Sequence, residues 1–211
     1  MIVKKFPNSS LYPNGYSVVF LRHVDPVESL RRVVGNTFHL VHLARHEAEV
    51  IKMIGEDIEP EDVPDLCLDD LDAADMLRTD GPLLRAGVYE DWSFIIEAEG
   101  SYIAKDEALV TLSCGTVALS ARVSETTSSW IAYAEDGVTL SSFDPLFSEY
   151  DYGARPDILA ERTGYREAIA NGDRSESFEN AFRRIQQVLG CDPPEGVDAA
   201  RLLAVRIANG Y

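Results

Sequence analysis

Asp136-Gly137 is the dipeptide that most constrains what this chain can become. A two-residue hairpin turn needs positive φ at both central positions, which Asp tolerates and Gly adopts freely. The dipeptide joins Trp130–Ala134 to Val138–Phe143, two runs rich in aromatic and β-branched residues, and so predicts a pair of antiparallel strands. Val117, Leu119, Ala121 and Val123 alternate on a strand just before them, connected through a turn at Ser124-Glu125-Thr126-Thr127. Upstream, Leu83–Tyr89 and Trp92–Glu97 read as two more strands, with Trp92, Phe94 and Ile96 sharing one face. The expected architecture is an α+β fold: a central antiparallel meander with helices packed on one face, in a single domain spanning residues 1–211.

The helical signals lie on both sides of this block. Tyr16–Arg22 reads as an entry strand, and a helix follows at once, because Asp25 can cap it, Pro26 fits its first turn, and Gly35 suits its end. Val27, Leu30, Val33 and Val34 supply its apolar face. From Phe38 to Ile54, apolar residues at Leu40, Leu43, Ala44, Val50, Ile51 and Ile54 recur near a period of 3.6 and predict a second helix ended by Gly55. Lys105–Ser113 reads as a short helix. Residues 155–211 read as helical throughout: one helix starts at Pro156, and another is capped by Asp173 with Glu176 and carries the stripe Phe178, Ala181, Phe182, Ile185 and Leu189. A last helix is expected over Val197–Ala208.

Charge narrows the function classes. A formal net charge of −17 repels phosphate backbones and anionic lipids, which disfavours nucleic-acid and membrane binding and permits a basic protein partner. No apolar run reaches the roughly 18 residues that a membrane span requires. No apolar segment follows Lys4 and Lys5, so a cytoplasmic location is expected. Cys67, Cys114 and Cys191 have neither zinc spacing nor an even-numbered disulfide framework, and reduced thiols are expected. Much of the negative charge is concentrated in an excursion over residues 56–80, where eleven acidic residues face the single basic residue Arg78. Leu66, Leu68, Leu71 and Leu77 predict that a turn of helix docks part of it. Asp62, Asp65, Asp69, Asp70, Asp72 and Asp75 are the candidate binding residues of this face.

Three stretches together carry a family resemblance. They are Val18-Val19-Phe20-Leu21-Arg22 through Asp25-Pro26 to Leu30-Arg31-Arg32; Trp92-Ser93-Phe94-Ile95-Ile96-Glu97 followed by Gly100; and Tyr133-Ala134-Glu135-Asp136-Gly137 through Ser142-Phe143-Asp144-Pro145-Leu146. In this order, over roughly residues 16–160, the chain resembles a domain-of-unknown-function family of small bacterial proteins from high-GC Gram-positive genomes. The resemblance implies an α+β domain and no established activity.

The residues themselves offer few reactive groupings. His39, His42 and His46, at helical offsets with Glu49 one turn further on, would share one flank of the predicted second helix and could hold a metal ion there. The Glu that follows the first His in metallopeptidase helices is missing. Glu97 and Glu99 are spaced to face the same way and could divide acid and base roles, although pairing of Glu97 with Arg85 or Arg122 is the plainer account. Trp92 is a candidate stacking platform for a small ligand, against the ordinary reading of a core tryptophan. There is no phosphate-binding loop, dinucleotide fingerprint, nucleophile elbow or calcium loop, and no cofactor is implied. The expected function is therefore a non-enzymatic interaction module, of inhibitor, immunity or adaptor type, binding a basic partner. The alternative is a metal-dependent enzyme or metal-binding protein using His39, His42 and His46.

Overall fold

The computed structural model describes residues 6–36, 38–124, 129–170 and 176–207. Its strands are β1 (Tyr16–Arg22), β2 (Val41–Leu43), β3 (Leu83–Tyr89), β4 (Trp92–Ala98), β5 (Val117–Val123), β6 (Trp130–Glu135), β7 (Val138–Phe143) and β8 (Leu202–Arg206). The helices are α1 (Pro26–Val34), α2 (Arg45–Ile54), α3 (Leu68–Ala73), α4 (Asp106–Leu112), α5 (Ile158–Thr163), α6 (Tyr165–Ala170) and α7 (Ser177–Leu189). All eight strands form one sheet in the order β2-β8-β3-β4-β1-β5-β6-β7, and every pairing is antiparallel. The fold is α+β, and β5-β6-β7 is the expected meander. Asp136 and Gly137 both take positive φ at its tight turn. β1, early in the chain, is inserted between β4 and β5, and β8, late in the chain, between β2 and β3.

Six consecutive residues of β1, Tyr16 to Leu21, are buried. A strand achieves this only when both faces of its sheet are covered. On one face Phe20, Phe94, Ile96, Leu119 and Tyr133 pack against Ile158, Phe182 and Ile185 of α5 and α7. On the other, Val19, Leu21, Ile95 and Ala118 pack against Leu30 of α1 and Leu109 and Leu112 of α4. This corrects the expectation of helices on one face only. The two-sided core is what the uninterrupted apolar runs of β1 and β4 require.

Two predicted helices are replaced in part by strands. Phe38–Ile54 is not one helix: Val41–Leu43 forms the edge strand β2, and α2 starts only at Arg45, where Glu47 Oε2 accepts from the Ala44 N–H at 2.7 Å. The expected last helix is instead a 3-10 turn, Glu195–Asp198, followed by β8. Its residues Leu202 to Arg206 pair with β3 and β2, and this gain of ladder hydrogen bonds on both sides outweighs the helical preference of Ala199-Ala200-Arg201-Leu202-Leu203. The last three residues of the turn expected at Ser124-Glu125-Thr126-Thr127 and the cap expected from Asp173 lie outside the described residues.

The acidic excursion is docked rather than draped. Ile58, Val63, Leu71, Ala74 and Met76 are buried, with Leu66, Leu68 and Leu77 packed around them, against Leu43 of β2, Ile51 of α2, Leu83 of β3 and Ala204 of β8. This third cluster lies on the β2 side of the sheet. It holds a strongly charged segment in a defined shape.

Candidate functional site

The two ends of the sheet are packed differently, and the junction between them is polar. Arg85 of β3 is paired with Ile96 on one side and with Ala204 on the other, so it shares their face of the sheet. It is only 4% exposed, and Asp198, from the turn before β8, is 1% exposed. Arg85 Nη2 forms an ion pair with Asp198 Oδ1, and Nη1 donates to the Asp198 carbonyl at 3.4 Å. The Tyr12 hydroxyl donates to Asp198 Oδ2 and accepts from Arg85 Nη2 at 3.3 Å. Arg45 Nε approaches the same Oδ2 at 3.8 Å. Burial, then the Asp198 charge, pushes the Tyr12 phenol well above its ordinary range, so it acts as a permanent donor.

Above this network lies a cleft of about 730 Å³. The segment Ser10–Gly15 forms one wall and a flank of α2 the other, while Leu83, Arg85, Ile96 and Ala98 line it from the sheet. Each end is tied across. Arg45 Nη1 donates to the Leu11 carbonyl at 3.1 Å. At the other end Glu99 accepts from Asn14 Nδ2 at 2.5 Å and from Lys52 Nζ at 2.8 Å, and Lys52 also reaches the Ala98 carbonyl at 2.9 Å. Those two donors hold the Glu99 carboxyl below the usual carboxylate range.

A second, shallower groove of about 610 Å³ runs between β2 and α3. His39, His42, Asp65 and Asp70 stand along it with Leu66 and Leu71. Asp62, Asp65, Asp69, Asp70, Asp72 and Asp75 are all exposed. Among the described residues, Asp65 is the only one of these six with an ion-pair partner, Arg201 at 3.5 Å, and that arginine is held more closely by Glu47.

The predicted metal flank is therefore divided. His39 and His42 belong to the β2 groove, whereas His46 and Glu49 lie on α2 beside the larger cleft. A strand in place of the first helical turn is the physical reason. Among the described residues, no group of three or more His, Cys, Asp or Glu side chains is placed to hold a metal ion. Glu97 and Glu99 also part company. Glu97 is buried in β4 and accepts from the Ile103 N–H at 3.2 Å, with burial raising its pKa, while Glu99 turns outward in a left-handed conformation to meet Lys52. Arg85 is committed to Asp198 rather than to Glu97. Trp92, the candidate stacking platform, is buried in the core with the Arg22 guanidinium over its ring, which is the ordinary place of a core tryptophan.

Residues 7–168 match the model of a family described as Family of unknown function (DUF6461). The chain belongs to that family. The matched span ends within α6, and it leaves α7 and β8 outside, although both contribute to the core. No curated protein and no solved structure matches the chain. No described helix is long and apolar enough to cross a membrane. Tyr12, Arg45 and Arg85 of the larger cleft and Asp198 beneath it come from four separated segments and carry no local motif.

Proposed function

We propose that this family member is a protein-binding module, of inhibitor, immunity or adaptor type, that docks a basic segment of a partner on its acidic excursion. The observation that carries this reading is the β2–α3 groove, where Asp65 and Asp70 border an apolar lining of Leu40, Val41, Leu66 and Leu71. A lysine or arginine laid there would bury its methylene stem on the leucines and keep its charged head at the carboxylates. Elsewhere on the excursion Asp62, Asp69, Asp72 and Asp75 face solvent, which favours fast, steered encounter with a cationic surface.

The test is capture of partners on the immobilised protein at low and high salt, repeated with the Asp65→Asn/Asp70→Asn variant. A basic partner that is released by salt, and that the variant retains at least about tenfold more weakly, supports the reading. A partner held equally by both proteins and indifferent to salt refutes it, as does the absence of any partner.

A further inference from the structure

The charges around the larger cleft balance in number but are not all paired. Lys52 is taken up by Glu99, and Arg85 by Asp198. Arg45 has no carboxylate of its own: the one it approaches, at 3.8 Å, already holds Arg85 and the Tyr12 hydroxyl. Its Nη1 is used on the Leu11 carbonyl, and among the described residues Nη2 has no acceptor. The Arg45 side chain remains 28% exposed. Glu49 and His46, exposed on the same helix, also line the cleft, and among the described residues Glu49 forms no ion pair with Arg45. At this place a protein of net charge −17 presents a cation with hydrogen-bonding capacity to spare.

The rest of the lining is of a different kind. Leu11, Pro13, Ala48, Leu83, Ile96 and Ala98 give the cleft an apolar body. Met53, 80% exposed, lies at its edge. A methionine left in water costs apolar exposure and recovers it when something covers it, and its unbranched thioether adapts to varied shapes. The volume of about 730 Å³ falls within the range of sites that enclose a small organic molecule.

We propose that this cleft binds a small amphipathic monoanion, with its carboxylate on Arg45 Nη2 and its hydrocarbon body between α2 and the Ser10–Gly15 segment. The Arg85–Asp198–Tyr12 network beneath fixes the floor, and Arg45 above it offers the donor that the network does not use. A second negative charge on the ligand would meet no free partner and would face Glu99 and Glu49, which sets the preference for a single anionic group. This site is separate from the β2–α3 groove and stands independently of the protein partner proposed there.

Octanoate is the probe, titrated against the full chain by calorimetry and by two-dimensional NMR, with octanol, acetate and suberate in parallel arms. We expect saturable one-to-one binding of octanoate, with shifts at Leu11, Ala48, Leu83 and Ile96 and none at Leu66 and Leu71 of the other groove. Each parallel probe should bind at least about tenfold more weakly. Arg45→Met should weaken octanoate about tenfold, and Arg45→Lys, which keeps the charge, less. A circular dichroism spectrum shows that each variant is folded. Octanol binding as tightly as octanoate, unchanged affinity in Arg45→Met, shifts confined to the other groove, or no saturation at millimolar octanoate would each overturn the proposal. If Arg45→Met does not fold, the ranking of the four probes on the unaltered chain still decides it.

Discussion

Removing the Asp198 carboxylate should be the most destabilising single change on this face of the sheet. In Asp198→Ala the Arg85 guanidinium stays 4% exposed and loses its counter-ion, and the buried Tyr12 hydroxyl loses its acceptor. An uncompensated buried charge costs about 3–5 kcal/mol. The stranded hydroxyl adds roughly 1 kcal/mol, less whatever Arg85 Nη2 returns to it. A total of about 4–6 kcal/mol, with a urea slope of ~2–3 kcal/mol/M for a chain of this size, moves the midpoint down by roughly 2 M. The double variant Arg85→Met/Asp198→Leu removes charge and counter-ion together. It should recover most of the loss, because well-packed apolar replacements of buried ion pairs are often neutral or stabilising by ~1–4 kcal/mol. Urea unfolding followed by fluorescence and circular dichroism tests both, with coincidence of the two probes checking two-state behaviour. A loss under about 1 kcal/mol in Asp198→Ala, or a double variant worse than either single one, would refute the idea that the pair matters through desolvation.

Other changes give equally direct readings. Arg206 is 6% exposed, and among the described residues its Nε and Nη2 have no hydrogen-bond partner, so Arg206→Met should raise stability by ~1–3 kcal/mol in the same urea assay. A Cβ on Gly100 would lie 1.6 Å from Glu97 Oε1 and 2.1 Å from its Cδ. Gly100→Ala should therefore cost about 1–3 kcal/mol, and much less in a Glu97→Ala background, which a double-mutant cycle measures. Burial raises the Glu97 pKa, so between the ordinary carboxyl range and that raised value the folded state binds more protons than the unfolded one. The contribution of Glu97 to stability falls as pH rises through this window, and Glu97→Gln should flatten that part of the stability–pH profile.

Most of the sheet was legible because its strands carry local marks. Asp136-Gly137 turns β6 into β7, and Asp25-Pro26 both ends the β1 segment and starts α1. The strands that escaped have no such marks. Val41–Leu43 is too short to show a period of two, and the apolar residues before it happened to extend the helical rhythm of α2. Leu202–Arg206 is almost wholly buried, and an uninterrupted apolar run of that length fits strand and helix alike. The same ambiguity concealed the second helical layer, although six buried residues in a row in β1 were its trace. The acidic excursion was visible from composition, and its docking from its leucines. The larger cleft was not, because Tyr12, Arg85 and Asp198 meet only after the sheet has brought distant segments together.

The position of β8 fixes an order of birth. Among the described residues Val41–Leu43 pairs in the sheet only with Leu202–Ala204, so a chain emerging from the ribosome carries β2 through most of synthesis without a strand partner, and the charged lobe with only α2 and Leu83 of β3 to rest on. During that interval the outer flank of β3 is unguarded and open to pairing with another nascent copy. The negative lobe beside that flank would then act as a repellent, keeping sister chains apart until the keystone strand arrives.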